Sequence, residues 1–140
     1  EVNALAAVPT LLRLILAHLS RFSGIGEKLK WLEIGSQAMR ADEKQEIARI
    51  FPNARIIQHY GLTEASRTTF LNISDEPTAH HASVGRANGD VEIRITAQGR
   101  IAIRGPHVAS GIISPDGLQP LADSDGWLVT SDGPHDSHSQ

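Results

Sequence analysis

The sequence predicts an α/β fold, in which part of a parallel α/β sheet layer is followed by a small antiparallel β-barrel-like subdomain. Between residues 29 and 59, a short apolar strand, an amphipathic helix and a second apolar strand follow one another, an order typical of a parallel sheet. Beyond residues 76–82 the apolar segments are short and alternating, with Gly, Pro, Asn and Asp between them. We therefore expect an α/β subdomain over residues 1–78, an antiparallel β subdomain over residues 79–132 and a disordered polar tail over residues 133–140.

Two helices are predicted in the first part of the chain. The segment Val8–Leu19 carries a proline in its first turn and is apolar on most faces, so it is expected to form a core helix, ended by the turn Ser23–Gly26. The segment Asp42–Phe51 has apolar residues at helical spacing and is followed by Pro52, which cannot continue a helix.

Two strands are predicted around the second helix, and each is followed by a turn. Leu29–Ile34 precedes the turn Gly35–Ala38, and Arg55–His59 precedes the segment Tyr60–Glu64. Parallel sheets bind their ligands at the carboxyl ends of strands. The two turns are therefore expected to lie together at one edge of the sheet.

The second part of the chain is expected to form short antiparallel strands. Ala97–Gly99 is a plausible hairpin turn between two of them. The predicted strands are Ser83–Arg86, Val91–Ile95, Arg100–Arg104 and Trp127–Thr130.

Composition excludes several classes of function. The net charge of −3 offers no basic surface for nucleic acid, so no nucleic-acid partner is expected. The chain has no cysteine, which rules out disulfides, a thiolate nucleophile and thiolate metal ligands. The longest apolar stretch is too short to span a bilayer, and no signal peptide is visible. A cytoplasmic protein without a transmembrane segment is expected.

The segment Tyr60–Glu64 concentrates the chemistry of the chain. It places an aromatic ring, a flexible glycine, a hydroxyl and a carboxylate close together. A nucleotide phosphate with its magnesium ion needs a similar set, because it requires a ring to stack on, close backbone approach, a donor and a hard oxygen ligand. By itself the segment could equally be a plain strand-to-loop turn.

Four segments together make the chain resemble the acyl-adenylate-forming superfamily, within which it is most similar to the acyl-CoA synthetases. The second of them is similar to the family's Tyr-Gly-x-Thr-Glu motif, and all four follow the family's order. They are Leu32–Met39, Gln58–Ala65, Gly99–Gly111 and Gly126–Asp132.

The resemblance implies a role for each matching residue. Tyr60 is expected to stack on adenine, while the turn Gly35, Ser36 and Gln37 borders the other side of the base and the acyl pocket. Thr63 is expected to hydrogen-bond a phosphate, and Glu64 to ligate Mg²⁺. Asp132 is expected to accept the ribose hydroxyls. His59, Gly61 and Leu62 complete the implied ATP/AMP site.

The resemblance also implies the substrates and the reaction. ATP and a carboxylic acid, such as a fatty acid, would form an acyl-AMP, and coenzyme A or a carrier-protein thiol would then accept the acyl group. His59 stands where many members have glycine, and its bulk is expected to shorten the acyl pocket.

Several family features are missing from these 140 residues. The Ser/Thr/Gly-rich phosphate loop and the small lysine-bearing C-terminal domain are absent, Ser131 replaces a usual glycine and Ile112 a frequent tyrosine. Both ends suggest a piece of a longer protein, expected to be inactive alone. Exposed, truncated surfaces could favour self-association.

Other interpretations stay open at this point. Asp132 could simply cap a turn, because Ser-Asp-Gly is good turn chemistry. The chain could also be a non-catalytic module that holds a nucleotide or acyl group, or a structural remnant of an enzyme. The seven histidines lack metal-site spacing, so no histidine metal site is expected.

Overall fold

Three parallel strands lie side by side in chain order and form the first part of a five-stranded sheet. The central one pairs in parallel with both neighbours, so that Ile34 lies opposite Ala7 on one side and Gln58 on the other. This computed structural model describes residues 3–18, 24 and 26–133. The sheet order is β1 (Ala4–Ala7), β2 (Trp31–Ile34), β3 (Arg55–Leu62), β4 (Ala65–Asn72) and β5 (Arg86–Ala87). The predicted parallel α/β layer is confirmed.

Two helices bury their apolar faces against this sheet. Helix α1 (Pro9–Ala17) begins at the proline, as expected, and helix α2 (Ala41–Ile50) lies within one residue of its predicted bounds. Leu12 from α1 and Ile47 from α2 are fully buried in one core with Leu32. Leu19, Ser23 and Ile25, on which the predicted end of α1 depended, lie outside the described residues.

Helix α2 also buries two charged side chains that its apolar pattern did not predict. Glu43 accepts hydrogen bonds from Arg13 Nε at 2.7 Å and from the Arg40 amide at 2.9 Å, and the Arg13 bond holds the pKa of Glu43 below its ordinary value. The Lys44 Nζ donates to the backbone carbonyls of His81 at 2.6 Å and Ser83 at 2.8 Å. Burial lowers the pKa of Lys44 to about 8.

Strand β3 is longer than the sequence predicted. It does not end at His59 but continues through Tyr60, Gly61 and Leu62, and the two residues Thr63 and Glu64 form the turn into β4. A connection of two residues joins antiparallel strands. The segment expected to be a loop is therefore the end of a hairpin, because β4 offers the ladder partners that the sequence pattern did not reveal.

The predicted strand Ser83–Arg86 is wrong for most of its length. Gly85 has φ of +91°, and a side chain there would overlap the carbonyl group of Phe70. Thr69 Oγ1 meanwhile donates to the Val84 carbonyl oxygen at 2.6 Å. This segment is therefore held by a side chain and a left-handed glycine, and strand β5 begins only at Arg86.

The residues group into two units. One comprises Glu1–Tyr60 with Thr69–Arg86, and the other comprises Gly61–Thr68 with Ala87–Gln140. The predicted division at residues 78 and 79 stays a prediction, and the predicted tail over residues 133–140 falls, except for Gly133, outside the described residues.

The second unit contains two small antiparallel sheets. In the first, Ala102 and Ile103 of the middle strand are fully buried, and the predicted turn at Ala97–Gly99 joins two of its strands. Its order is β10 (Leu128–Val129), β7 (Ile101–Arg104) and β6 (Glu92–Ile95). The other sheet is a hairpin of β8 (Gly111–Ser114) and β9 (Gly117–Pro120), which the sequence did not predict.

Within the described ranges, no helix combines the length and the apolar character that crossing a membrane requires.

Candidate functional site

The turn after β2 is held against strand β1 and the first helix. The Gly35 amide donates to the Ala7 carbonyl oxygen at 3.3 Å, and Thr10 Oγ1 of α1 donates to Gln37 Oε1 at 2.8 Å. Ser36 has φ of +74°, a left-handed conformation that is uncommon outside glycine and costs a serine about 1 kcal/mol. Backbone strain of this kind clusters at binding sites, which makes the turn a candidate for one.

His59 lies directly on Gly35. A side chain on Gly35 would overlap the imidazole, so the glycine provides the room in which the ring packs. His59 Nε2 is 3.4 Å from Glu33 Oε1, and the ring centroid lies 6.2 Å from that of Phe70. The Nδ1 atom is buried and has no hydrogen-bond partner within the described part of the chain. The structure thus brings together two predicted site residues from neighbouring parallel strands.

The hairpin turn presents a hydroxyl next to a carboxylate. Tyr60, Gly61 and Leu62 are half-buried at the end of β3, Thr63 is exposed and Glu64 is half-buried. The carbonyl oxygen of Glu64 accepts a hydrogen bond from the Ala109 amide at 2.8 Å. The backbone of the turn is therefore fixed, while the Thr63 side chain faces solvent.

Asp132 follows the last strand and is fixed by its own backbone. Its amide donates to Thr130 Oγ1 at 3.1 Å, and its carbonyl oxygen accepts from the Ile101 amide at 2.9 Å. These bonds tie the residue to β7, and the side chain is half-buried. The ribose role of Asp132 stays a prediction, as do the roles of the residues on the two turns.

Glu64 offers a single carboxylate, a kind of ligand that Mg²⁺ takes from proteins. Among the described residues, no group of three or more His, Cys, Asp or Glu side chains is placed to hold a metal ion. Mg²⁺ is commonly bound through one or two carboxylates together with substrate phosphates and water. A single carboxylate at a turn is compatible with that chemistry, and the role of Glu64 as a magnesium ligand stays a prediction.

Sequence reasoning missed a contact that supports the hairpin turn. Thr68 of β4 is fully buried, and its Oγ1 lies 3.1 Å from Nε2 of His107. Neither residue stands out in the sequence, because a threonine in a strand and a histidine after a proline are both ordinary.

The first unit also contains a shallow cavity of about 370 Å³. It is lined in part by Glu76, His80 and Arg86, and the carboxylate of Glu76 lies 2.8 Å from His80 Nδ1. None of the predicted site residues contributes to it.

Comparison with known proteins connects these residues to one family. The family model described as AMP-binding enzyme matches residues 1–113. A relative from Rhodococcus jostii (strain RHA1), named 3-[(3aS,4S,7aS)-7a-methyl-1,5-dioxo-octahydro-1H-inden-4-yl]propanoyl:CoA ligase, is 29% identical over 94% of this chain and 26% of its own length. The 4-coumarate--CoA ligase-like 6 protein of Oryza sativa subsp. japonica is 32% identical over 71% of this chain and 19% of its own length.

Solved structures agree with this likeness. Escherichia coli MenE, described with a bound m-phenylether-linked analogue of OSB-AMS, superposes with a TM-score of 0.73 at 27% identity, over 94% of this chain and 27% of that chain. Bacillus subtilis MenE, described in complex with AMP, has a TM-score of 0.71 at 23% identity over 94% of this chain and 28% of that one, which shows the fold alone. The chain spans about a quarter of the length of such relatives.

Proposed function

Since the chain belongs to the AMP-binding enzyme family, we propose that it is part of an ATP-dependent acid–thiol ligase of the acyl-CoA synthetase kind. Such an enzyme joins a carboxylate to the α-phosphate of ATP, which forms an acyl-AMP and releases pyrophosphate. A thiol then displaces AMP and forms a thioester. Relatives named as CoA ligases favour coenzyme A as that thiol, and a carrier-protein thiol is the alternative acceptor.

The observation that carries the proposal is the fixed hairpin turn Thr63–Glu64. Its backbone is held at Glu64, and it places a solvent-facing hydroxyl beside a carboxylate. In the proposed site Thr63 hydrogen-bonds a phosphate oxygen and Glu64 ligates Mg²⁺. Positioning and charge stabilisation of this kind supply most of the catalysis in phosphoryl chemistry.

The other predicted residues take the remaining parts of the nucleotide. Tyr60 stacks on adenine, and Gly61 and Leu62 continue the strand beneath it. The turn Gly35, Ser36 and Gln37 borders the other side of the base. Asp132 accepts the two ribose hydroxyls, which an ionised carboxylate does with both oxygens.

His59 shapes the acyl side of the proposed site. Its ring fills the space over Gly35, where a smaller residue would leave a longer cavity. The acid is therefore proposed to be shorter, or bound less deeply, than in relatives with glycine at this place.

The remaining properties belong to the proposal as well. The two antiparallel sheets would form part of a barrel-like subdomain in the longer protein, which we place in the cytoplasm. The 140 residues on their own are expected to adenylate at background level. Removing one strong electrostatic donor from a comparable site costs roughly a hundred- to a thousand-fold in turnover. The family's phosphate loop and its lysine-bearing C-terminal domain are both missing from these 140 residues.

Calorimetric titration of this chain with AMP and with ATP–Mg²⁺ tests the nucleotide site. Weak AMP binding is expected, and Asp132→Ala should abolish it because the ribose loses its acceptor. Asp116→Ala is the matched control, since Asp116 is an exposed aspartate in the β8–β9 turn. AMP binding that survives in Asp132→Ala would contradict the assignment of the ribose, provided that circular dichroism shows both variants folded.

A further inference from the structure

The turn Thr63–Glu64 is supported by a second loop of the same unit, Gly105–Ala109, which we call the clamp loop. The Ala109 amide donates to the Glu64 carbonyl oxygen, and Val108 forms an antiparallel bridge with Ala65. These two contacts are made by backbone and place few demands on side chains. The third contact is specific, because it joins the side chains of His107 and Thr68.

The hydrogen bonds around Thr68 determine which atom is the donor. Thr68 Oγ1 donates to the Ala65 carbonyl oxygen at 2.8 Å, which uses its single proton. The His107 Nε2 atom, 3.1 Å away, must therefore carry a proton and donate it to Thr68 Oγ1. The other ring nitrogen, Nδ1, is buried without a hydrogen-bond partner in the described ranges.

The strand between these contacts is strained. Arg67 has φ of +56°, a left-handed conformation within β4, and the bond from Thr68 to Ala65 spans it. Left-handed non-glycine residues persist where the surrounding structure holds them in place. His107 contacts this segment from outside the hairpin, since its Nε2 lies 3.1 Å from Thr68 Oγ1, whose proton goes to the Ala65 carbonyl oxygen next to the turn.

We propose that His107 is a positioning residue for the turn that carries Thr63 and Glu64. It donates Nε2–H to Thr68 Oγ1, and so holds the strained end of β4 against the clamp loop. The importance of that turn rests on the proposed function, whereas the mechanical role of His107 does not.

Hydrogen exchange tests the mechanical role directly. In His107→Leu, which keeps bulk but loses the donor, the Ala109 amide should exchange about fivefold faster, the effect of one lost hydrogen bond. His107→Gln offers an amide donor in place of Nε2–H and should restore slow exchange. Wild-type exchange in His107→Leu, or equally fast exchange in both variants, would overturn the proposal.

A second pair of variants tests the bond between His107 and Thr68 by changing Thr68. Thr68→Ser keeps the hydroxyl and should behave as the wild type, whereas Thr68→Val, which also loses the bond to the Ala65 carbonyl oxygen, should exchange faster than His107→Leu. If His107→Leu fails to fold, the ring tautomer of His107 in the wild-type protein decides the donor assignment. In the wild-type protein, the ¹⁵N shifts of His107 should show the proton on Nε2, and a proton found on Nδ1 alone would contradict the donor assignment.

Titration with ATP–Mg²⁺ and with AMP then separates positioning from general damage. His107→Leu should weaken ATP–Mg²⁺ binding several-fold more than AMP binding. The reason is that only ATP–Mg²⁺ uses Thr63 and Glu64 together with the metal ion. His107→Gln should recover ATP–Mg²⁺ binding. Equal losses for both nucleotides would assign His107 a merely structural role. If the wild-type chain binds neither nucleotide, the proposed nucleotide site fails in this chain, and the exchange results alone decide the role of His107.

Discussion

Gly35 is required at its position because the imidazole of His59 occupies the place of a side chain. We expect Gly35→Ala to destabilise the fold by about 1–3 kcal/mol, the usual cost of overpacking a filled site. The change should be measured as the free energy of unfolding in a denaturant titration.

The double variant Gly35→Ala/His59→Ala provides the control. It should recover much of the loss, because the second substitution removes the ring with which the new methyl group collides. If the loss of unfolding free energy in the double variant equals the sum of the losses in Gly35→Ala and His59→Ala, the two residues do not interact in solution. Contacting residues normally couple by about 0.5–3 kcal/mol.

At the scale of elements, the ammonium group of Lys44 joins helix α2 to the segment that contains His81 and Ser83. Burial lowers its pKa to about 8 from an ordinary value of 10.5. Between those values the unfolded chain binds a proton that the folded chain does not, so stability should rise as pH increases from about 8 to 10.5. Below this window both states carry the charge, and the full cost of burying it remains.

Thermal unfolding as a function of pH measures this effect. The wild-type protein should gain up to ~3 kcal/mol from Lys44 across the window, and Lys44→Met should lose that dependence. Lys28→Met serves as the matched control, because Lys28 is exposed. The same alkaline gain in Lys44→Met and in the wild type would contradict the assignment.

The elements that the sequence predicted well are those with a strong periodic pattern. Helix α2 has an amphipathic repeat and a following proline, and its bounds were found within one residue. Strand β1 was missed because three of its four residues are alanine, which is depleted in strands, so only pairing with β2 defines it. The extension of β3 beyond His59 was also missed, because it depends on pairing with β4, which lies beyond the turn.

Some contacts of the candidate site follow from the order of the elements in the sequence, whereas others join residues that lie far apart in the chain. Gly35 lies on His59 because the strand before Gly35 and the strand that contains His59 are adjacent and parallel, an adjacency that the order of the elements predicted. The bond between His107 and Thr68 could not be predicted, because 39 positions separate the two residues and neither belongs to a recognisable pattern. The buried charge of Lys44 was hidden too, since a lysine on a helix is normally exposed.

At the scale of the whole molecule, exposed apolar side chains on helix α1 predict self-association. Leu14 is 57% exposed, and Val8 and Leu11 are exposed beside it, while β1 lies at the edge of the sheet order. Apolar patches and open strand edges both favour pairing with a second copy. We expect the apparent mass of the chain to rise with concentration in sedimentation velocity, and Leu14→Lys to shift the protein toward the monomer because a charge would then be buried in the interface.

Ile113→Lys is the matched control, since Ile113 is 86% exposed on β8, in the other unit. If Ile113→Lys rather than Leu14→Lys dissociates the protein, the β8–β9 hairpin forms the contact and helix α1 does not.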